Sequence, residues 1–278
     1  MKKMKCKTLI SFGLSLAIVL TGTIPATNAS EKQPTSEVRT TTNDIYTKEG
    51  KLLGNVVKTH SVQVIEDNNG THTTVTTFED FTLLPEYAED INYTSVFKDE
   101  ERVTEIEFDN TNKTITVDGE ELDVDKMASP ITNRIQARSD TGGIPALCHY
   151  YSNSAMTSYS FACYQSMNYN WVGNGNGHGE PEGKNIQKTG IKPSNQWFAV
   201  AKNSIDLFDN SYSDYRRAYA FTLAEAAAIG WTGVIWAWSP AGWVAAGGPL
   251  AVSAGIVISD FKGAVDDLEK AYTYVNKL

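Results

Sequence analysis

The sequence predicts an α+β protein, with an N-terminal antiparallel β meander followed by a C-terminal helical domain that carries an apolar helical hairpin. Three observations lead there. From Asp44 to Lys126, apolar and polar residues alternate with period two around turn signals such as Asp67-Asn68-Asn69-Gly70 and Asp118-Gly119. From Ser194 onward, apolar residues recur at helical spacing. Between Ala226 and Ser259 run 34 residues without a formal charge, rich in Trp, Gly and Ala.

Residues 1–29 have the form of an export signal. Lys2, Lys3, Lys5 and Lys7 make a positive start, Leu9 to Leu20 is a short apolar core, and Thr27-Asn28-Ala29 places small residues where a signal peptidase reads. Cleavage is expected between Ala29 and Ser30, giving a secreted, extracellular protein. An N-terminal anchor is the alternative, but the apolar core is short and polar sequence follows it. No cysteine follows it either, so a lipoprotein anchor is not expected.

Residues 30–43, rich in Thr, Ser, Lys and Glu, read as a flexible leader. Residues 44–126 form the predicted β domain. Val56 to Ile65 and Thr71 to Phe78 flank the Asn-Gly turn, and Glu105 to Phe108, Thr114 to Val117 and Leu122 to Val124 alternate after it. Alternation implies one buried and one wet face. The wet face should be acidic, since residues 30–140 hold 23 acidic and 11 basic side chains, against 10 and 9 in residues 141–278. Such a balance releases no counterions from phosphates, so nucleic acid is not an expected partner.

Residues 127–143, with Pro130, Arg134 and Arg138, read as a linker, either a plain loop or a segment cut near Arg138. Residues 144–193 combine the cysteine pair with a Gly/Asn-rich run, Gly173 to Gly183, read as a surface loop. In an oxidising compartment Cys148 and Cys163 are expected to be bridged, at about 3 kcal/mol of stabilisation. A Cys148 thiol nucleophile beside His149 is the sharper alternative.

Residues 194–278 are the predicted helical domain. Ser194 caps a first helix through Trp197, Phe198, Ala201, Ile205 and Phe208, and the polar run Asp209 to Arg217 breaks it. Ser259 caps a last helix whose apolar stripe is Phe261, Ala264, Val265, Leu268, Ala271, Tyr272 and Val275. Between them lies the predicted hairpin, 218–258, divided at Ser239-Pro240. Its second half, Ala241 to Ile258, is about 27 Å long as a helix, close to the roughly 30 Å hydrocarbon core of a bilayer. Trp231, Trp236, Trp238 and Trp243 flank the bend at Pro240, and indole rings favour the membrane–water boundary. Small residues recur every fourth position, as in Gly247, Ala251 and Gly255, which suits close helix approach. A membrane-active segment, a buried helical core and a resident anchor all fit this pattern.

The signal at 1–29, the polar β-rich middle, the Cys148/Cys163 pair and the run Gly230-Trp231-Thr232-Gly233-Val234-Ile235-Trp236-Ala237-Trp238 together resemble large secreted, non-lantibiotic bacteriocins of the geobacillin 26 type. The layout is also similar to cannibalism-toxin precursors, although here the cysteine pair lies farther upstream of the hairpin. Both resemblances imply killing of related bacteria. The implied partners are a target bacterial membrane and a receptor or immunity protein. Many bacteriocins are cationic and this chain is not, so binding would rest on apolar area or a receptor.

No enzyme is predicted, and no cofactor or metal. His60 and His72 flank the Asn-Gly turn and pair across the hairpin in this reading, but no third ligand has zinc spacing. Glu180 and Glu182 are too close together for paired glycosidase acids. Asp140-Thr141-Gly142 matches the short aspartic-protease signature without a second copy. The expected function is a secreted antibacterial protein that inserts the Trp/Gly/Ala hairpin into a target membrane. The alternative is a secreted binding or inhibitory protein whose Gly/Ala helices are its core.

Overall fold

The long strands begin earlier in the chain than alternation alone suggests. The computed structural model describes residues 34–112, 114–122, 147–167, 181–228, 244 and 247–278. Their order is β1 (Thr35–Tyr46), β2 (Leu52–Glu66), β3 (Gly70–Leu83), the short turns α1 (Pro85–Ala88) and α2 (Ile91–Thr94), then β4 (Glu100–Asp109), β5 (Thr114–Val117) and β6 (Glu120–Leu122). There follow β7 (Cys148–Ser152), β8 (Tyr159–Met167), β9 (Pro181–Ile191) and the helices α3 (Phe198–Ala228) and α4 (Gly248–Asn276). The signal segment with Ala29 and Ser30, the 127–143 linker, and the bend with Trp231, Trp236, Trp238, Pro240 and Trp243 lie outside the described residues.

The fold is α+β, as expected. Strands β1 to β6 form one antiparallel meander in sequence order. Asp67 seeds the β2–β3 turn by accepting the N–H groups of Asn69 and Gly70 at 2.7 and 2.9 Å. The leader is a correction. From Thr35 it is β1, with Thr40 paired to Thr59 and Thr41 to Lys58. Its threonines are β-branched, and one-sided cover by α3 suffices to hold a polar strand.

The region 144–193 is a second correction. Its described parts form a three-stranded antiparallel sheet, β7-β8-β9, whose last strand begins at Pro181 inside the run expected as a loop, while residues 173–180 of that run lie outside the described residues. Cys148 and Cys163 are direct cross-strand partners, 4.0 Å apart at Cα, and form a disulfide.

The helices depart from expectation in continuity. Helix α3 runs unbroken through 209–217. The weak helix formers there are satisfied individually. Asn210 Nδ2 donates to the Tyr46 carbonyl at 2.8 Å, Ser213 Oγ to the Asp209 carbonyl at 2.8 Å, and Ser211 Oγ to Asp267 at 2.5 Å. Helix α4 likewise passes straight through Ser259, whose hydroxyl meets Thr77 and Thr104 of the sheet instead of capping a helix. The two helices run antiparallel. Ser253 meets Glu225, Phe261 packs edge-on against Tyr215 at 5.0 Å, and Tyr274 lies 6.2 Å from Trp197. Both sheets and α3 pack on α4, and every residue from Leu250 to Phe261 is buried.

Candidate functional site

Among the described residues, α4 is the one helix long and apolar enough to cross a membrane, and 78% of its most apolar stretch is buried. A helix apolar all round needs cover on every side in water. The cover, and the contacts that hold it, make the candidate site.

Small residues seat α4 on the large sheet. Gly247, Ala251, Gly255, Ser259 and Gly263 recur every fourth residue and form one stripe. A Cβ on Gly255 would stand 2.9 Å from the methyls of Thr73 and Val75, and one on Gly263 would stand 2.6 Å from the Arg102 guanidinium. The spacing read as a helix–helix motif therefore serves helix-on-sheet contact at Gly255. At the N-terminal end, Glu66 Oε1 accepts the Gly248 N–H at 2.6 Å, so a carboxylate meets the positive end of the helix dipole.

The inner face of the sheet changes character along α4. Val62, Val64, Val75, Ile106 and Phe108 lie in the core that receives its first half. Farther along, Lys58, His60, Thr77, Glu79, Arg102 and Thr104 point inward, all buried. Lys58 Nζ lies 2.8 Å from Glu79, 3.1 Å from Asp214 of α3 and 3.8 Å from Asp260 of α4. Arg102 reaches Glu79 at 3.9 Å and Asp266 at 3.5 Å. His60 Nε2 faces Asp260 at 3.7 Å, and its Nδ1 meets Thr77 Oγ1 at 2.9 Å.

In this network four buried carboxylates, Glu79, Asp214, Asp260 and Asp267, face two buried cations. Burial alone would lower the Lys58 ammonium, but Asp214, Glu79 and Asp260 outweigh it and hold it above the ordinary lysine range. Burial would raise Glu79, yet Lys58 and Arg102 keep it below the usual carboxylate range. For Asp214 and Asp267 burial wins over their cationic neighbours and raises both. Burial also lowers His60, which is neutral at neutral pH. Arg217 at 2.8 Å from Asp214 and Lys270 at 3.2 Å from Asp267 supply further counter-charge from the rim of the network.

Further pairs stitch the helices to the large sheet. Arg39 donates to Ser253 at 2.8 Å and lies 3.7 Å from Glu225, Lys270 reaches Glu100 at 2.9 Å, and Lys262 pairs with Asp118. The α3–α4 contact is mainly an aromatic and aliphatic seam through Tyr212, Tyr215, Phe261, Ala264 and Leu268, with Ser211–Asp267 and Ser253–Glu225 as its polar contacts.

No protein-family profile, curated protein or solved structure matches the chain.

Of the residues singled out from sequence, Cys148 and Cys163 come together, and their disulfide removes the thiol-nucleophile alternative. His60 and His72 do not pair. His60 stands opposite Thr77 and points inward, whereas His72 stands opposite Ile65 and meets Glu107 at 3.2 Å. Glu182 is exposed on β9, while Glu180, His178, Arg138 and the Asp140-Thr141-Gly142 run lie outside the described residues. Among the described residues no group of three or more His, Cys, Asp or Glu is placed to hold a metal ion. Sequence reasoning missed the Lys58 network. Its signal was parity, because Lys58 and His60 share the odd-even phase of buried Val56, Val62 and Val64.

Proposed function

We propose that the protein is a secreted, non-enzymatic antibacterial protein, a bacteriocin, that kills related bacteria by passing α4 and the Trp-bearing bend into the target membrane. The observation that carries this reading is the contrast of interfaces around α4. Helix meets helix mainly through apolar side chains, with Ser211–Asp267 and Ser253–Glu225 as the polar contacts, whereas the helices meet the large sheet through an apolar patch under the first half of α4 and through ion pairs and hydroxyls beyond it. Ions freed from a buried pair regain hydration, which offsets part of the lost attraction, whereas a parted apolar seam regains nothing. The two helices would therefore leave the sheet as one antiparallel pair, presenting Leu250–Phe261 to lipid with Trp231, Trp236, Trp238 and Trp243 at the interface. The disulfide in the small sheet and the acidic surface suit an extracellular life, and a receptor or immunity protein is the expected protein partner.

The test mixes purified protein with dye-loaded vesicles and with cells of related species. Leakage and growth inhibition are expected, and both should fall when Trp236 and Trp238 are replaced by Ser with secretion retained. If neither vesicles nor cells respond, the reading fails.

A second reading draws on the burial of α4 itself. A core helix of a secreted binding or inhibitory protein is buried to the same degree. Capture of a protein partner by a chain that leaves vesicles intact would establish it.

A further inference from the structure

Away from α4, three parts of the fold meet over a second buried charge cluster. The turn between β1 and β2 brings Lys48 and Glu49, β7 brings Tyr150, and α3 brings Lys202, Asp206 and Asp209. Asp206 is fully buried. Its Oδ1 accepts the Lys48 N–H at 2.9 Å and lies 2.8 Å from Tyr150 Oη. The same Tyr150 Oη lies 2.9 Å from Glu49 Oε2, which also accepts from Lys202 Nζ at 2.9 Å.

Hydrogen counting decides the protonation. A tyrosine hydroxyl has one hydrogen and donates to one acceptor at a time. Here two carboxyl oxygens sit within hydrogen-bond distance of it. The second contact is attractive only when one carboxyl carries a proton and donates to the tyrosine oxygen. Glu49 is held ionised by Lys202, against the effect of burial. Lys202 also lies 3.6 Å from Asp206 Oδ2, but Asp206 is fully buried where Glu49 is half exposed, so Asp206 is the group left to hold the proton.

The surroundings agree. Three acids, Glu49, Asp206 and Asp209, face two lysines, and since Glu49 is half open to solvent the surplus charge falls on the two buried aspartates. Tyr93 of α2, near Asp90, is the other titratable group turned toward Lys202 and Asp206, and it adds no cation. Asp206 Oδ2 and Asp209 Oδ1 are buried without a hydrogen bond. Burial pushes Asp206 up to about 6, while burial and the neighbouring carboxylates keep the Tyr150 hydroxyl protonated.

We propose that the Asp206–Tyr150–Glu49 junction is a proton-held latch, which pins β7 and the β1–β2 turn to α3 while Asp206 carries its proton and loosens when that proton is lost. The proton passes to water on opening, leaving an Asp206 carboxylate that Tyr150 no longer satisfies together with Glu49. The latch belongs to the cover of α4, since β7 and β8 form the small sheet packed on that helix. It does not depend on whether α4 enters lipid.

The test is hydrogen–deuterium exchange on the full-length secreted chain from pH 5.5 to 8.5, corrected for intrinsic rates. Wild-type protection of Thr47–Lys51, Cys148–Ser152 and the first half of α3 should fall as pH rises, by up to tenfold per unit above about pH 6. Asp206→Asn, which has no carboxyl proton to lose, should show no such slope. Carbon-13 NMR of the wild-type carboxyls supplies an independent readout even if the variant fails to fold. A wild-type profile flat with pH, a slope retained in Asp206→Asn, or an Asp206 titration in the ordinary carboxylate range would each overturn the latch.

Discussion

Lys58 and Glu79 stand directly opposite each other on β2 and β3, ammonium to carboxylate at 2.8 Å, with both side chains sealed beneath the helices. A cross-strand pair on an open sheet face contributes little. Here the pair also supplies the counter-charge for Asp214 and Asp260, one from each helix. Replacing Lys58 by Met leaves those three carboxylates without their shared cation. The expected loss is about 3–5 kcal/mol of unfolding free energy, the scale for stripping one partner from a buried pair. Urea unfolding followed by fluorescence measures it. Because the lost contacts join helix to sheet, binding of an apolar dye should rise in the folded baseline before global unfolding begins.

Two buried groups act on stability below about pH 7, with opposite signs. Burial pushes Asp209 up to about 7, so the folded chain keeps a proton that the unfolded chain releases near 3.8. Its contribution is complete below about 3.8, declines from there, and is gone once pH passes 7. Replacing Asp209 by Asn should therefore stabilise the protein at pH 8, by about 1–2 kcal/mol given its partial exposure, and change little at pH 4. His60 works in the opposite sense. Burial lowers its pKa, so the unfolded chain takes up a proton near 6.5 that the folded chain refuses, and stability from this group is lost as pH falls below that value. Thermal unfolding from pH 4 to 9 measures their sum, and the Asp209 variant should remove the decline in stability between pH 4 and 7, leaving the His60 loss in acid exposed.

These effects explain how much of the molecule could be read from residues alone. The meander was legible, because β2 to β5 alternate cleanly and the Asn-Gly turn fixes their first hairpin. The buried face of β2 was legible in the same alternation, but a lysine and a histidine in phase with valines gain meaning only once their partners are known. Asp214 and Asp260 lie far along the chain, and no local pattern points from one to the other. The leader became β1, and 181–191 became β9, because polar strands are stabilised by neighbours that composition does not reveal. The expected break at 209–217 failed for a related reason, since each weak helix former finds a specific tertiary or intrahelical partner.

Gly255 offers a substitution with opposite effects in two environments. Alanine favours a helix over glycine by about 1 kcal/mol. On the sheet, however, its Cβ would stand 2.9 Å from the Thr73 and Val75 methyls, which are stiff β-branched groups on a central strand. Overpacking of that kind costs about 1–3 kcal/mol, so Gly255→Ala should lower the stability of the water-soluble fold. A peptide spanning 248–276 should show the reverse in detergent, where the alanine variant is at least as helical by circular dichroism. Equal or greater stability of the full-length variant would mean that α4 does not lie flush on β3.

The Cys148–Cys163 bridge tests the role of the small sheet as cover. Both sulfurs belong to residues 1% exposed, inside the core that also contains α4. Reductant should reach the bridge only when β7 and β8 part, so reduction in native buffer is expected to be slow and to speed up in moderate denaturant. Once the bridge is gone, the chain-entropy term for a separation of 15 residues is lost, about 3 kcal/mol. The paired variant Cys148→Ser with Cys163→Ser should unfold at correspondingly lower urea. If the small sheet holds α4 in place, exchange protection in α4 should drop with it, whereas unchanged α4 protection alongside the lower midpoint would mean that the large sheet and α3 hold the helix without its help.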